Sequence, residues 1–102
     1  MNDYPTDKQL EMIESWDWKN PKGLIEFIQS IWNYSDHAIE IRKGRDRIFK
    51  KLVWKIELHT IGWSGNEDII YALKKNFFWT FFWEKSERGG HYYFEIRPEM
   101  WK

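Results

Sequence analysis

At 102 residues the chain has the size of one domain built on one hydrophobic core, residues 1–102. Its 16 basic residues equal its 16 acidic ones, which excludes a molecule steered as a whole toward nucleic acid or an anionic membrane. With no cysteine it can form neither a disulfide framework nor a thiolate metal site, and this fits a reducing interior such as the cytoplasm.

The charge is unevenly placed all the same. Residues 1–36 hold seven acids and three bases, a net of −4, whereas residues 37–55 hold seven bases and two acids, a net of +5. Eight Trp, seven Phe and five Tyr make up 20% of the chain. Rings cover much area with few rotatable bonds, so they dominate cores and interface hot spots alike, and some of the twenty are expected to face another molecule.

The opening MNDYPTDKQL lacks a basic region followed by an apolar run, so no secretory signal is expected. Thr6 and Gln9 form a capping box, with Pro5 and Leu10 placed as a hydrophobic staple. Leu10, Ile13 and Trp16 recur at helical spacing and predict a short helix ending near Trp16. Next, Asn20 as cap, Pro21 at the first position and a stripe of Leu24, Phe27, Ile28 and Ile31 predict a second helix over 21–33.

From His37 the period drops to two. Ile39 and Ile41 alternate with Glu40 and Arg42, predicting a strand that turns at KGRDR. A second strand sets Leu52, Trp54, Ile56 and Leu58 against Val53, Lys55, Glu57 and His59. Beyond it, HTIGWSGN opens a third helix, capped either by a Ser64–Glu67 box or by Asn66 directly, with Ile69, Ile70 and Leu73 as its stripe and its end at Asn76. FFWTFFWE and HYYFEIR then read as a strand pair joined by KSERGG, whose glycines suit a hairpin. PEMWK reads as irregular.

The expected fold is α+β, in the order ααββαββ, with a four-stranded, mostly antiparallel sheet and helices on one face. Placing the fourth strand between the second and third would bring His59 and His91 side by side at one sheet edge. Along Trp54 to Ile96, the runs ELHT, GWSGNE and RGGH make the chain resemble a group of small, uncharacterised bacteriophage and prophage proteins. That resemblance implies phage origin, and with a cytoplasmic chain the expected place of action is the host cytoplasm. It implies no activity.

Four candidate surfaces follow. The first is the loop with His59, Thr60, Trp63, Ser64 and Asn66 beside the turn with Arg88 and His91, where helix-start amides and cationic side chains suit a nucleotide-like or other anionic ligand. Glu67 and Asp68 in the first turn oppose that use. A second is a histidine pair with Glu57 or Glu95, a donor set for zinc or manganese but without a recognised metal spacing, so no metal or cofactor is expected.

The third is the basic hairpin, where Arg42, Arg45, Arg47 and Lys50 with Phe49 suit nucleic-acid phosphates and stacked bases. The fourth is the aromatic run, read as a strand with rings on both faces, including Trp79 and Phe82, and joined by Tyr93. In a two-layer domain one of those faces lacks helical cover, which predicts a homo-oligomer or a host-protein interface. No nucleophile stands beside a base and an orienting acid, so the sequence reads as a binding protein and not an enzyme. No apolar stretch is long enough to cross a membrane as a helix.

Overall fold

The computed structural model describes residues 4–102. Helices α1 (Asp7–Ser15) and α2 (Pro21–Ile31) and the single turn α3 (Ser35–Ala38) precede strands β1 (Ile39–Arg45) and β2 (Leu52–His59). Helices α4 (Ser64–Lys74) and α5 (Phe77–Phe82) and strands β3 (Trp83–Glu87) and β4 (His91–Ile96) follow, and a 3-10 turn spans Pro98–Met100. The sheet order is β1-β2-β4-β3, antiparallel at every neighbour. An α+β domain with a four-stranded antiparallel sheet is therefore what the chain forms.

The first two helices start where the sequence places them. Thr6 Oγ1 accepts from Gln9 N at 3.1 Å while Gln9 Oε1 accepts from Thr6 N at 2.9 Å, which closes the capping box. Asn20 Oδ1 accepts from Gly23 N at 3.1 Å, with Pro21 at the first helical position. Ile13, Leu24, Ile25 and Ile28 pack with Ile56, Leu58, Phe94 and Ile96 in one buried cluster. Trp54, partly buried beside it, stacks on Trp101 at 5.8 Å and so fastens the C-terminal turn to the sheet.

Four local expectations are corrected. β1 continues through Lys43, Gly44 and Arg45, so the reversal falls at Asp46–Lys51 and takes in only the last two residues of KGRDR. The cause is Asp46, whose carboxylate accepts from the backbone N–H groups of Ile48, Phe49 and Lys51 at 3.1, 2.5 and 3.0 Å. Those N–H donors hold its carboxyl below the usual aspartate range, the bond from Phe49 contributing most. Upstream, the residues before Ile39 form the turn α3, entered through Tyr34 in left-handed conformation (φ 58°).

Neither Ser64 nor Asn66 caps α4. Trp63 is the cap residue and makes no side-chain cap bond, while the Ser64 hydroxyl bonds Tyr4 at 2.9 Å. Asn66 is buried and serves the neighbouring chain instead, accepting from Asn33 N at 2.9 Å and donating to Asn33 O at 3.2 Å.

The fourth correction concerns FFWTFFWE. It is a helix from Phe77 to Phe82, and only Trp83 to Glu87 are strand. Alternating rings suggest a strand, but Asn76 decides otherwise. Its Oδ1 accepts from Phe78 N at 2.7 Å and caps α5. Its Nδ2 donates to Ile13 O and Trp16 O at 2.9 and 2.8 Å, carbonyls at the end of α1. One buried amide thus ties two helix ends together, and the rings fall into i, i+4 pairs: Phe77 with Phe81, Phe78 with Phe82, Trp79 with Trp83.

Candidate functional site

The loop corner and the turn corner meet as the strand placement requires. His59 is the register partner of His91, and Thr60 N donates to Gly90 O at 2.9 Å. Gly62 (φ 73°) and Gly90 (φ 83°) adopt backbone angles that favour glycine, and a Cβ on Gly90 would collide with Thr60 Oγ1. The contact is close because no side chain intervenes. Thr60 and Asn66 are buried, however, and Asn66 is occupied by Asn33. Trp63 packs between Tyr4 and Tyr34, with ring centroids at 6.4 and 6.5 Å. Most of this corner is therefore wall, with Ser64 and Arg88 at its exposed rim.

What the meeting corners build is a polar sheet face. Alternation along β1, β2 and β4 places Glu40, Arg42, Lys55, Glu57, His59, His91, Tyr93 and Glu95 together, opposite the face that carries Ile56 and Phe94. Arg42 Nη2 donates to Glu57 Oε2 at 2.7 Å, and Lys55 Nζ lies 3.5 Å from Glu95 Oε2. His59 Nε2 lies 3.3 Å from Glu57 Oε1 and 3.8 Å from Glu40 Oε2, while its Nδ1 meets His91 Nδ1 at 2.7 Å. The ring of Tyr93 stands edge-on to His59 at 6.1 Å.

Tyr93 and the β3 edge close this lattice. The Tyr93 hydroxyl donates to Glu87 Oε1 at 2.7 Å, and Lys85 approaches the same carboxylate at 3.4 Å. Losing the phenolic proton there would set a phenolate against a carboxylate, so the Tyr93 value is pushed up to about 12. The same bond, with Lys85 behind it, holds Glu87 below its ordinary value. Glu95 moves the other way: partial burial raises it, and Glu84 adds to the effect.

A groove of about 400 Å³ lies over this face, lined by Arg42, Arg45, Arg47, Lys50, Lys55 and Lys85 together with Glu57, Glu84, Glu95 and Tyr93. The structure thus gathers all four nominated hairpin bases, Arg42, Arg45, Arg47 and Lys50, at one groove with Tyr93. It does not bring them to Trp63, Ser64 or Asn66. Arg45 Nη1 donates to Lys50 O at 3.0 Å, which stiffens the hairpin.

The aromatic run forms a second, separate surface. Phe78 and Phe82 are buried against the sheet side chain Phe94 and against Trp18, so Phe82, nominated as a contact residue, is core. Trp79 is half-buried on Tyr92 and Phe94. The open rings are Phe77 (66% exposed), Phe81 (56%) and Trp83, and Trp18 stacks on Phe81 at 4.2 Å. Sequence reasoning set Phe77 and Phe81 on one face with Trp79 and Trp83 but nominated Trp79 and Phe82, and it missed Trp18. Three ring pairs at i, i+4 spacing behind Asn76 were the signal that could have found this arrangement.

Lys74 Nζ sits over the rings of Tyr71, Trp79 and Tyr92 at 5.7, 5.4 and 5.7 Å, and Lys19 lies 6.0 Å from the Trp18 ring. No helix among the described residues is long and apolar enough to cross a membrane. No protein-family model, curated protein or solved structure matches the chain.

Proposed function

We propose that this is a non-catalytic binding protein that occludes a protein partner with the aromatic crest of α5. The carrying observation is the exposure of Phe77 and Phe81 on a helix whose alternate rings, Phe78 and Phe82, are buried in the core. A rigidly mounted apolar crest matches what interface hot spots need, because little side-chain freedom is lost on contact. Lys19 and Lys74 over neighbouring rings favour a partner that surrounds an apolar centre with carboxylates. Taken with the resemblance to phage proteins, the partner is a host protein met in the host cytoplasm, and blocking it is the mode of action.

The test is a pull-down from bacterial lysate with the intact protein and with Phe77→Ser/Phe81→Ser, followed by titration with the purified partner. The double variant should keep its melting temperature and lose at least tenfold in affinity, since hot-spot rings contribute about 2 kcal/mol or more each. Equal affinity would sink the proposal. So would a dimer of the wild-type protein that the double variant abolishes, because the crest would then serve self-association.

A second reading attaches to the hairpin. Phe49 and Ile48 are exposed at its tip among Arg47, Lys50 and Lys51, with Lys51 Nζ 6.0 Å from the Phe49 ring. Exposed rings interleaved with bases suit single-stranded nucleic acid, stacked on Phe49 with its phosphates along the groove. Its affinity for an oligonucleotide should fall steeply with salt, and an affinity indifferent to salt removes it. A nucleotide-like ligand at the His59–Asn66 loop is favoured less, because Thr60 is buried and Asn66 is already bonded on both sides.

A further inference from the structure

Glu40 and Glu57 face each other directly across β1 and β2. Like charges at opposed strand positions are destabilising, so the pairing needs a positive group between or beside them. Arg42 supplies one on the far side, fixing Glu57 Oε2 at 2.7 Å and leaving Oε1 turned to the cluster. His59 Nε2 points at both carboxylates, 3.3 Å from Glu57 Oε1 and 3.8 Å from Glu40 Oε2. The three donor atoms all lie within 4.8 Å of one another.

The geometry points to a divalent-cation site formed by Glu40, Glu57 and His59, suited to zinc or manganese. Metal–ligand bonds of about 2.1 Å around a tetrahedral ion hold donors about 3.4 Å apart, close to the two spacings from His59 Nε2. The remaining carboxylate gap closes by rotation of Glu40, whose side chain is 58% exposed and free to move, whereas Glu57 (12%) and His59 (17%) are held. One imidazole and two carboxylates form a nitrogen–oxygen donor set that suits these borderline and hard cations and offers no thiolate for a cluster.

The supporting contacts have the form that metal sites require. A ligating imidazole is aimed by a bond at its other nitrogen, and here His59 Nδ1 meets His91 Nδ1 at 2.7 Å. With the metal on Nε2, the His59 proton sits on Nδ1 and donates to His91. His91 is thereby a positioning residue and not a ligand, because the nitrogen it presents faces the side of His59 away from the carboxylates. Glu95 is not part of the set, being the register partner of Lys55 and paired to it at 3.5 Å. Three protein donors leave further positions open, toward the face shared with the basic groove.

The experiment is calorimetric titration of the intact protein with ZnCl2 and MnCl2, beside Glu40→Ala and a nitrogen-15 spectrum of the histidine rings. Glu40→Ala removes an exposed side chain, so the fold persists and only the ligand set changes. The expected result is one cation per chain, affinity at least tenfold weaker in Glu40→Ala, and a zinc-induced shift at His59 Nε2 with Nδ1 still protonated. Three results would overturn the site: no binding of either cation at millimolar concentration, equal affinity in Glu40→Ala, or the shift falling on His37 or on His91 Nε2.

Discussion

The crest of α5 and the polar face of the sheet lie on opposite sides of the β-layer, and they are built by different physics. On the α5 side, position is decided by burial: Phe78 and Phe82 are enclosed, and the residues just before them, Phe77 and Phe81, are carried to the surface by the same helix. On the polar side, position is decided by strand register, which sets Glu40 beside Glu57, Lys55 beside Glu95 and His59 beside His91. The first region supplies stability and mounts its exposed rings as a by-product. The second supplies little stability, since partly exposed ion pairs contribute about 0–1 kcal/mol.

The sharpest break of that contrast is Phe78→Ala against Phe81→Ala. Removing the enclosed ring should cost about 3–5 kcal/mol in denaturant unfolding, through lost burial and the cavity left beneath Phe94. Removing the exposed one should stay within about 0.5 kcal/mol. Comparable losses at both positions would mean that the two faces of α5 are not distinct.

A smaller effect is expected at the residue that makes α5 a helix. Asn76→Ala should cost about 1–3 kcal/mol, because it strips the cap from Phe78 N, removes the side-chain donor to Trp16 O and leaves Ile13 O with the Trp16 N–H alone. Amide exchange should quicken first at Phe78 and along α5, and unchanged protection there would assign the helix to ring packing alone.

On the polar side the test is a pH titration. The bond from Tyr93 to Glu87 needs a neutral phenol and an ionised carboxylate. A raised phenol value means that its stabilisation is complete below the ordinary tyrosine value of 10.0 and is lost as pH climbs from there to about 12. At the acid end the lowered Glu87 value makes the same contribution fade as pH falls below 4.5. Tyr93→Phe should flatten both limbs slightly. Phenolate absorbance of Tyr93 rising near its ordinary value would show the bond to be absent in solution.

Much of the site was legible because it rests on alternation and on local chemistry. Period-two patterns placed Lys55, Glu57 and His59 on one side of β2, and the meeting of His59 with His91 followed from strand order. Glu40 as the third donor was not legible as such, since its approach to Glu57 depends on where the β1–β2 hairpin turns. Asp46 sets that point through three backbone bonds, starting the turn three residues after the first residue of the basic run. The α4 start was missed for a related reason: Ser64 and Asn66 have capping chemistry, but Tyr4 and Asn33 engage them.

By itself the amino-acid sequence determined the α+β class, the caps of α1 and α2, and the two faces of β2 and β4, all of which follow from contacts between near neighbours. Only the tertiary structure decided that FFWTFF is a helix, that its rings divide into enclosed and open pairs, and that Glu40 joins Glu57 and His59. The physical reason is the same in each case. Asn76 reaches across to α1, and Glu40 meets Glu57 across a hairpin, so the deciding bonds join residues far apart in the chain, beyond what any local pattern records.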